Sequence, residues 1–169
     1  MVRMIELVPC DATWPDLFRV EATLVGEVFG PELVAIHHVG STAIPGILAK
    51  PIVDILLEVR SIEAVDSFNN SMTELGYLPT GENGIPGRRY FRKATDLHHT
   101  HHVHAFQAGH PEVERHLIFR DYLIAHPDEA QAYSRLKEEL RDRFPEDVTS
   151  YACGKDAFIA EIVRRSKEA

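Results

Sequence analysis

The chain has 169 residues, 44% apolar and 26% charged, which suits one folded domain (residues 1–169) and argues against disorder or a fibrous repeat. Its formal net charge of −8 disfavours a general nucleic-acid binder, whose affinity comes from neutralising phosphates. No apolar segment approaches the ~20 residues of a membrane span, and the opening MVRMIELVPCDATWP lacks the apolar stretch of a signal peptide. A cytoplasmic protein without a membrane partner is expected. Cys10 and Cys153 lie far apart without CxxC spacing and read as ordinary thiols.

After a short MIELVP run, Trp14, Leu17, Phe18, Val25 and Val28 recur every three to four residues and predict a helix from Trp14 to about Phe29, opened by Asp11 or Thr13. Residues 33–39, LVAIHHV, read as a strand. Pro45-Gly46 breaks the chain before a second strand, PIVDILLEV, too continuously apolar for a sheet edge. Residues 62–75 have helical spacing. Between Gly76 and Gly109, turn signals alternate with the extended runs YLPT, RRYFRK and HHVHAF, adding three strands. Helices are expected near 112–125, 128–143 and 147–166, separated by His126-Pro127 and Phe144-Pro145. The fold class is α+β, with a mixed sheet of about five strands and a helical C-terminal third.

Three constellations can carry chemistry. The first is HVGSTAIPGILAKPIVDILLEV, where one strand ends in Gly40-Ser41 and the next carries Asp54. Ser41 and Thr42 can donate hydroxyls to a phosphate, but the surroundings resemble neither a GxSxG elbow nor a P-loop. Asp54 is flanked by Ile52, Val53, Ile55 and Leu56, and a buried carboxylate needs a partner. Glu58 shares its face but lies roughly 13 Å away along a strand, too far to share one ion, and leucine stands at residue 56. The alternative is a structural Asp paired with a buried cation.

The second is HHTHHVH, residues 98–104. On a strand, His102 and His104 share one side with Val103 on the other, a common way to present two imidazoles to a metal. His98, His99 and His101 read as a solvated loop end. The third lies in the helices: Tyr133, Lys137, Leu140 and Phe144 fall at i, i+4, i+7 and i+11, and Tyr151, Lys155, Phe158 and Ile162 repeat those offsets. His116, Arg120 and Leu123 repeat the theme. Three helices with inward cations can line one anion pocket, unless the lysine stems snorkel and leave their charges in water. The basic strip RRYFRK, with no acidic residue between Glu82 and Asp96, also suits a small anionic ligand; Lys50 and Lys93 are either phosphate ligands or surface charge.

The blocks HHVGSTAIPGILAKPIVDILLEV, GRRYFRK, HHVHAF, RHLIFRDYLIAHP and YACGKDAFIAEIV, in this order, resemble the GrpB-like proteins. That group lies within the nucleotidyltransferase superfamily and also occurs fused to dephospho-CoA kinases. The resemblance implies a polymerase-β-like core in which Gly40 and Ser41 hold a nucleotide phosphate and Asp54 is the first metal carboxylate. Leu56 interrupts the superfamily's Asp-x-Asp/Glu pattern, which puts two-metal transfer in doubt. Asp54, His102 and His104 would form a catalytic single-metal site for Mg or Mn, with Zn or Ni better matched to imidazole. Lys50, Lys93, Arg120, Lys137 and Lys155 match polar positions of the family's blocks and would bind phosphates. Three functions follow as expectations: a nucleotidyltransferase acting on a small phosphate-bearing ligand such as a nucleotide, a phosphate-ligand binding module that has lost the chemistry, and a metal-dependent hydrolase. The sequence does not indicate an oligomeric state.

Overall fold

Alternation and turn residues divide the chain into the elements of a computed structural model, which describes residues 3–95 and 98–168. Helix α1 spans Trp14–Phe29, with Pro15 in its first turn, where a missing N–H costs nothing. Trp14, Val25 and Phe29 are buried together with Glu21. Leu17, expected inward, is 46% exposed, because the inward stripe runs through Phe18 and Glu21 instead. Thr13 occupies the cap position without a side-chain bond into the helix; its N–H donates to Asp11 Oδ1 at 2.8 Å.

Strands β1 (Leu33–Val39) and β2 (Val53–Val59) follow, joined by a loop that opens with a single 3₁₀ turn at Ser41–Ala43. The helix expected over 62–75 is a 3₁₀ segment, Glu63–Phe68, followed by the short α2, Asn69–Glu74. Hydroxyls compete for the backbone here: Ser67 Oγ donates to the Ala64 carbonyl and Thr73 Oγ1 to the Asn69 carbonyl. Strands β3 (Tyr77–Pro79), β4 (Arg88–Ala94) and β5 (His99–Gln107) complete the sheet. His99 and His101 therefore belong to a strand, not to the loop end expected for them.

The strand order is β1-β2-β5-β4-β3, antiparallel except for the central β2–β5 pair. The chain thus adopts the expected α+β architecture with a mixed five-stranded sheet. Strand alternation sorts β2 into two faces. Val53, Ile55, Leu57 and Val59 pack with Trp14, Val25 and Phe29 of α1, Met72 of α2, and Val103 and Ala105 of β5. Asp54, Leu56 and Glu58 face the C-terminal helices α3 (Pro111–Ala125), α4 (Pro127–Arg143), α5 (Val148–Cys153) and α6 (Asp156–Glu168). There Val39, Leu56 and Phe106 meet Val113, and Ile44 and Ile47 meet Phe119, Leu123, Tyr133 and Ile162. None of the described helices is long and apolar enough to cross a membrane.

The single helix expected over 147–166 is broken at Gly154-Lys155. Gly154 lies hard against α4, where an added Cβ would overlap Leu140 Cδ2. Lys155 consequently sits in the joint between α5 and α6.

On the α1 face, the buried Glu21 carboxylate accepts from the Tyr77 hydroxyl at 2.8 Å and from Lys93 Nζ. Burial and the Glu21 charge push the Tyr77 hydroxyl up, so it stays a donor. Removing one member of such a pair leaves the other desolvated and unpaired. Glu21→Ala is expected to destabilise the fold by about 3 kcal/mol, lowering the melting temperature by roughly 6–12 °C. The loss should be smaller in a Lys93→Met background, measured by urea and thermal denaturation as a double-mutant cycle.

Candidate functional site

The turn after β1 is shaped by one close approach. Gly40 has φ +75°, and a Cβ there would stand 2.6 Å from Asp54 Oδ2, so conformation and space both require glycine. Register explains the contact: Val39 pairs with Asp54 across the antiparallel β1–β2 ladder, and Asp54 pairs with His102 across the parallel β2–β5 ladder. The Ala43 N–H then donates to the Gly40 carbonyl and the Ile44 N–H to that of Ser41, turning Ser41 toward the helices.

Asp54 Oδ1 accepts from His104 Nε2 at 3.0 Å and lies 3.6 Å from His102 Nδ1. Burial alone would push this carboxyl up; the hydrogen bonds and charges of His102 and His104 outweigh it and hold the group well below the usual carboxylate range. Both imidazoles are anchored from behind. His102 Nε2 meets His99 Nδ1 at 2.9 Å, and His104 Nδ1 lies 3.4 Å from Arg88.

Above Asp54 opens a cavity of about 250 Å³, walled by Gly40, Ser41, Asp54, His102 and the lysines Lys50, Lys137 and Lys155. Lys137, 1% exposed, donates to Ser41 Oγ at 3.0 Å and to the Leu48 carbonyl, with its ammonium 4.8 Å from the Tyr133 ring centroid. Burial, then the charges of Lys155 and Lys50, lower it to about 7. Lys155 is lowered to about 8 by burial and by Lys50, against the pull of Asp54 and Asp156. Burial lowers Lys50 as well. Lys50 and Lys155 sit 5.4 and 4.8 Å from the ring centroid of Tyr151, whose buried hydroxyl has no partner among the described residues. Three lysines thus crowd one small cavity whose single carboxylate is engaged by imidazoles.

Gly40, Ser41, Lys50, Asp54, His102, Lys137 and Lys155 therefore come together, with His104 supporting Asp54. Three expected phosphate ligands do not reach the cavity. Lys93 points through the opposite face of the sheet to Glu21. Arg120 donates to the His38 carbonyl at 3.1 Å and to Asp121, tying α3 to β1. Thr42 is 5% exposed and its hydroxyl bonds His38 Nε2 at 2.9 Å; burial, with the Arg120 charge, lowers that imidazole to about 4. Two arginines of the basic strip are spent internally: Arg88 on the Glu82 and Asn83 carbonyls and Arg89 on Asp66.

Arg115, Phe119 and Ile159 also line the cavity and were not singled out by the sequence reading. A charged residue on an amphipathic helix carries no signal of the cavity it borders.

The donor set does not fit magnesium, which wants several oxygen ligands in near-octahedral array. Leu56 fills the place of a second carboxylate, and Glu58 is bonded to His37 at 2.7 Å farther along β2. Among the described residues no group of three or more His, Cys, Asp or Glu side chains is arranged to hold a metal ion.

Residues 4–165 match the family described as GrpB protein. Over 165 residues the chain is 48% identical to the UPF0157 protein YqkA of Bacillus subtilis (strain 168), covering 98% of this chain and 48% of that protein. The chain thus spans about half the length of that relative. A dephospho-CoA kinase of Mycolicibacterium paratuberculosis is 26% identical over 187 residues, a match covering 96% of this chain and 46% of the kinase. The crystal structure of conserved protein GrpB from Enterococcus faecalis superposes with a TM-score of 0.89 at 36% identity, covering 95% of this chain and 96% of that one. With the family model matched along nearly its whole length, the chain belongs to the GrpB family.

Proposed function

We propose that the cavity binds a nucleotide or related phosphate-bearing ligand, in the manner of a nucleotidyltransferase-like protein. The observation that carries this reading is the crowding of Lys50, Lys137 and Lys155 around Gly40-Ser41, with Asp54 the one carboxylate among the lining residues and that one bonded to histidine. Burying like charges together is costly, and an anion supplies what the protein withholds. Ser41 offers a hydroxyl, and Tyr133, Tyr151 and Phe119 offer aromatic walls. A dephospho-CoA kinase among the relatives is in keeping with a phosphate-bearing ligand. Asp54, locked between two histidines, is on this reading a scaffold for the turn.

ATP or inorganic pyrophosphate at about 100 times its Kd is expected to stabilise the fold by about 2.7 kcal/mol, a rise of roughly 5–10 °C in melting temperature. Lys137→Ala or Lys155→Ala should weaken binding at least about tenfold by removing a charge-assisted bond, whereas Asp54→Asn should retain the shift. No shift with either ligand would overturn the reading.

The pH dependence has a definite sign. A bound anion favours the ammonium form, so affinity is full below the free-state values, about 7 for Lys137 and about 8 for Lys155, and is lost as pH rises through them. Affinity for ATP should fall about tenfold or more between pH 7.5 and 9. Calorimetry in buffers of different ionisation enthalpy should register proton uptake.

A second reading, a transferase or hydrolase using a transition-metal ion on Asp54, His102 and His104, draws on the 3.0 and 3.6 Å contacts at Asp54 Oδ1. It requires both imidazoles to exchange the carboxylate for the ion. The phosphate reading expects the ATP shift to be equal in EDTA and in Mn²⁺ or Zn²⁺. A metal-specific shift lost in Asp54→Asn, with pyrophosphate or phosphate released, would favour the second.

A further inference from the structure

Ser41 and Lys137 have a relation that phosphate binding does not require. The Lys137 stem rises from α4 into the cavity wall, its Nζ 3.0 Å from Ser41 Oγ and held from the other side by the Leu48 carbonyl. Among the described residues no carboxylate pairs with it; the charged groups facing it are Lys50 and Lys155, with the Tyr133 ring below. Such surroundings favour the neutral amine, which keeps two N–H donors and gains a lone pair. With one N–H given to Leu48, the lone pair can accept the Ser41 hydroxyl proton. Ser41 opens the turn after Gly40 and borders the cavity, so its oxygen is accessible to a small ligand.

A nucleophile also needs a donor for the charge that develops on the attacked carbonyl. The ammonium groups of Lys50 and Lys155, which line the same cavity as Ser41 and Lys137, can supply it.

We propose that Ser41 and Lys137 form a serine–lysine dyad that hydrolyses small activated acyl esters or thioesters bearing an anionic group. Ser41 Oγ gives its proton to Lys137 Nζ and bonds to the acyl carbon, and the resulting oxyanion accepts from the Lys50 and Lys155 ammonium groups. The carbon–oxygen or carbon–sulfur bond to the leaving group then breaks, and the leaving group takes the proton from Lys137. Water attacks the acyl-serine, passing a proton to Lys137, which returns it to Ser41 Oγ as the carboxylic acid departs. The net change is ester plus water to acid plus alcohol or thiol, with no other reactant. Lys50, Lys155 and Arg115 select for negative charge on the substrate.

The test is covalent labelling of the full chain with a fluorophosphonate probe, read by intact mass and peptide mapping, alongside p-nitrophenyl acetate hydrolysis. A single adduct on Ser41 is expected, forming faster as pH rises through about 7, where Lys137 loses its proton. Lys137→Arg keeps charge and bulk but cannot act as base, and should slow labelling by about 100-fold or more. Lys155→Met should slow p-nitrophenyl acetate hydrolysis about tenfold or more. Melting curves establish that each variant is folded; if Lys137→Arg is not, the pH profile of the unaltered chain and Lys155→Met decide. No adduct on Ser41, an adduct elsewhere only, or labelling indifferent to pH and to Lys137→Arg would overturn the dyad. The phosphate reading stands or falls separately: ATP binding without Ser41 labelling removes the dyad alone, and labelling without ATP binding supports it.

Discussion

The structure depends on the parallel pairing of β2 with β5. That one ladder sets Asp54 level with His102 and Leu56 level with His104, so a carboxylate and two imidazoles share one face at the middle of the sheet. A slip of β5 by one residue would turn both imidazoles toward α1 and bring Val103 and Ala105 to the helices instead. The apolar residues on the α1 face therefore hold the polar ones on the other in place. Burial of aliphatic side chains, the least specific of forces, is what gives Asp54 its partners.

Asp54 in turn explains the turn above it. Its Oδ2 occupies the volume that any Cβ at residue 40 would need, and its Oδ1 is taken by histidines, so the carboxylate acts on the turn by bulk as much as by charge. The loop that leaves Gly40 carries Ser41 to the foot of α4 and Leu48 to the other side of the Lys137 ammonium. Ser134 of the same helix accepts from the Leu48 N–H, so both peptide groups of that loop segment are tied to α4. The site is assembled between sheet and helices, with the loop as the pin.

Much of this was legible in the sequence because it rests on short-range rules. Period-two alternation put Asp54 and Leu56 on one face and His102 with His104 on one face, and the i, i+4, i+7 spacing put Lys137 on the buried stripe of α4. What was not legible depends on which faces meet. Lys93 lies in a basic strip, yet it reaches Glu21, a residue 72 positions away on a helix read as apolar inward. Thr42 and Arg120 have side chains suited to a phosphate, but both settle on His38, which no local pattern links to them. Gly154 keeps ordinary helical angles, and its close contact with Leu140 of α4 is one that local sequence does not contain. The lysine offsets repeated in the last two helical segments are real, while the continuous helix inferred from them is not.

The charge of the molecule and the charge of the cavity have opposite signs. A chain of net charge −8 repels an approaching anion over the ~8 Å range that physiological salt leaves unscreened, and only inside that distance do the three lysines take over. Encounter and capture are therefore governed by different fields. On the phosphate reading, added salt eases the first and weakens the second, and the outer surface is a kinetic sieve: it holds back long polyanions, which feel many surface carboxylates at once, and costs little to a compact ligand that fits within the cavity.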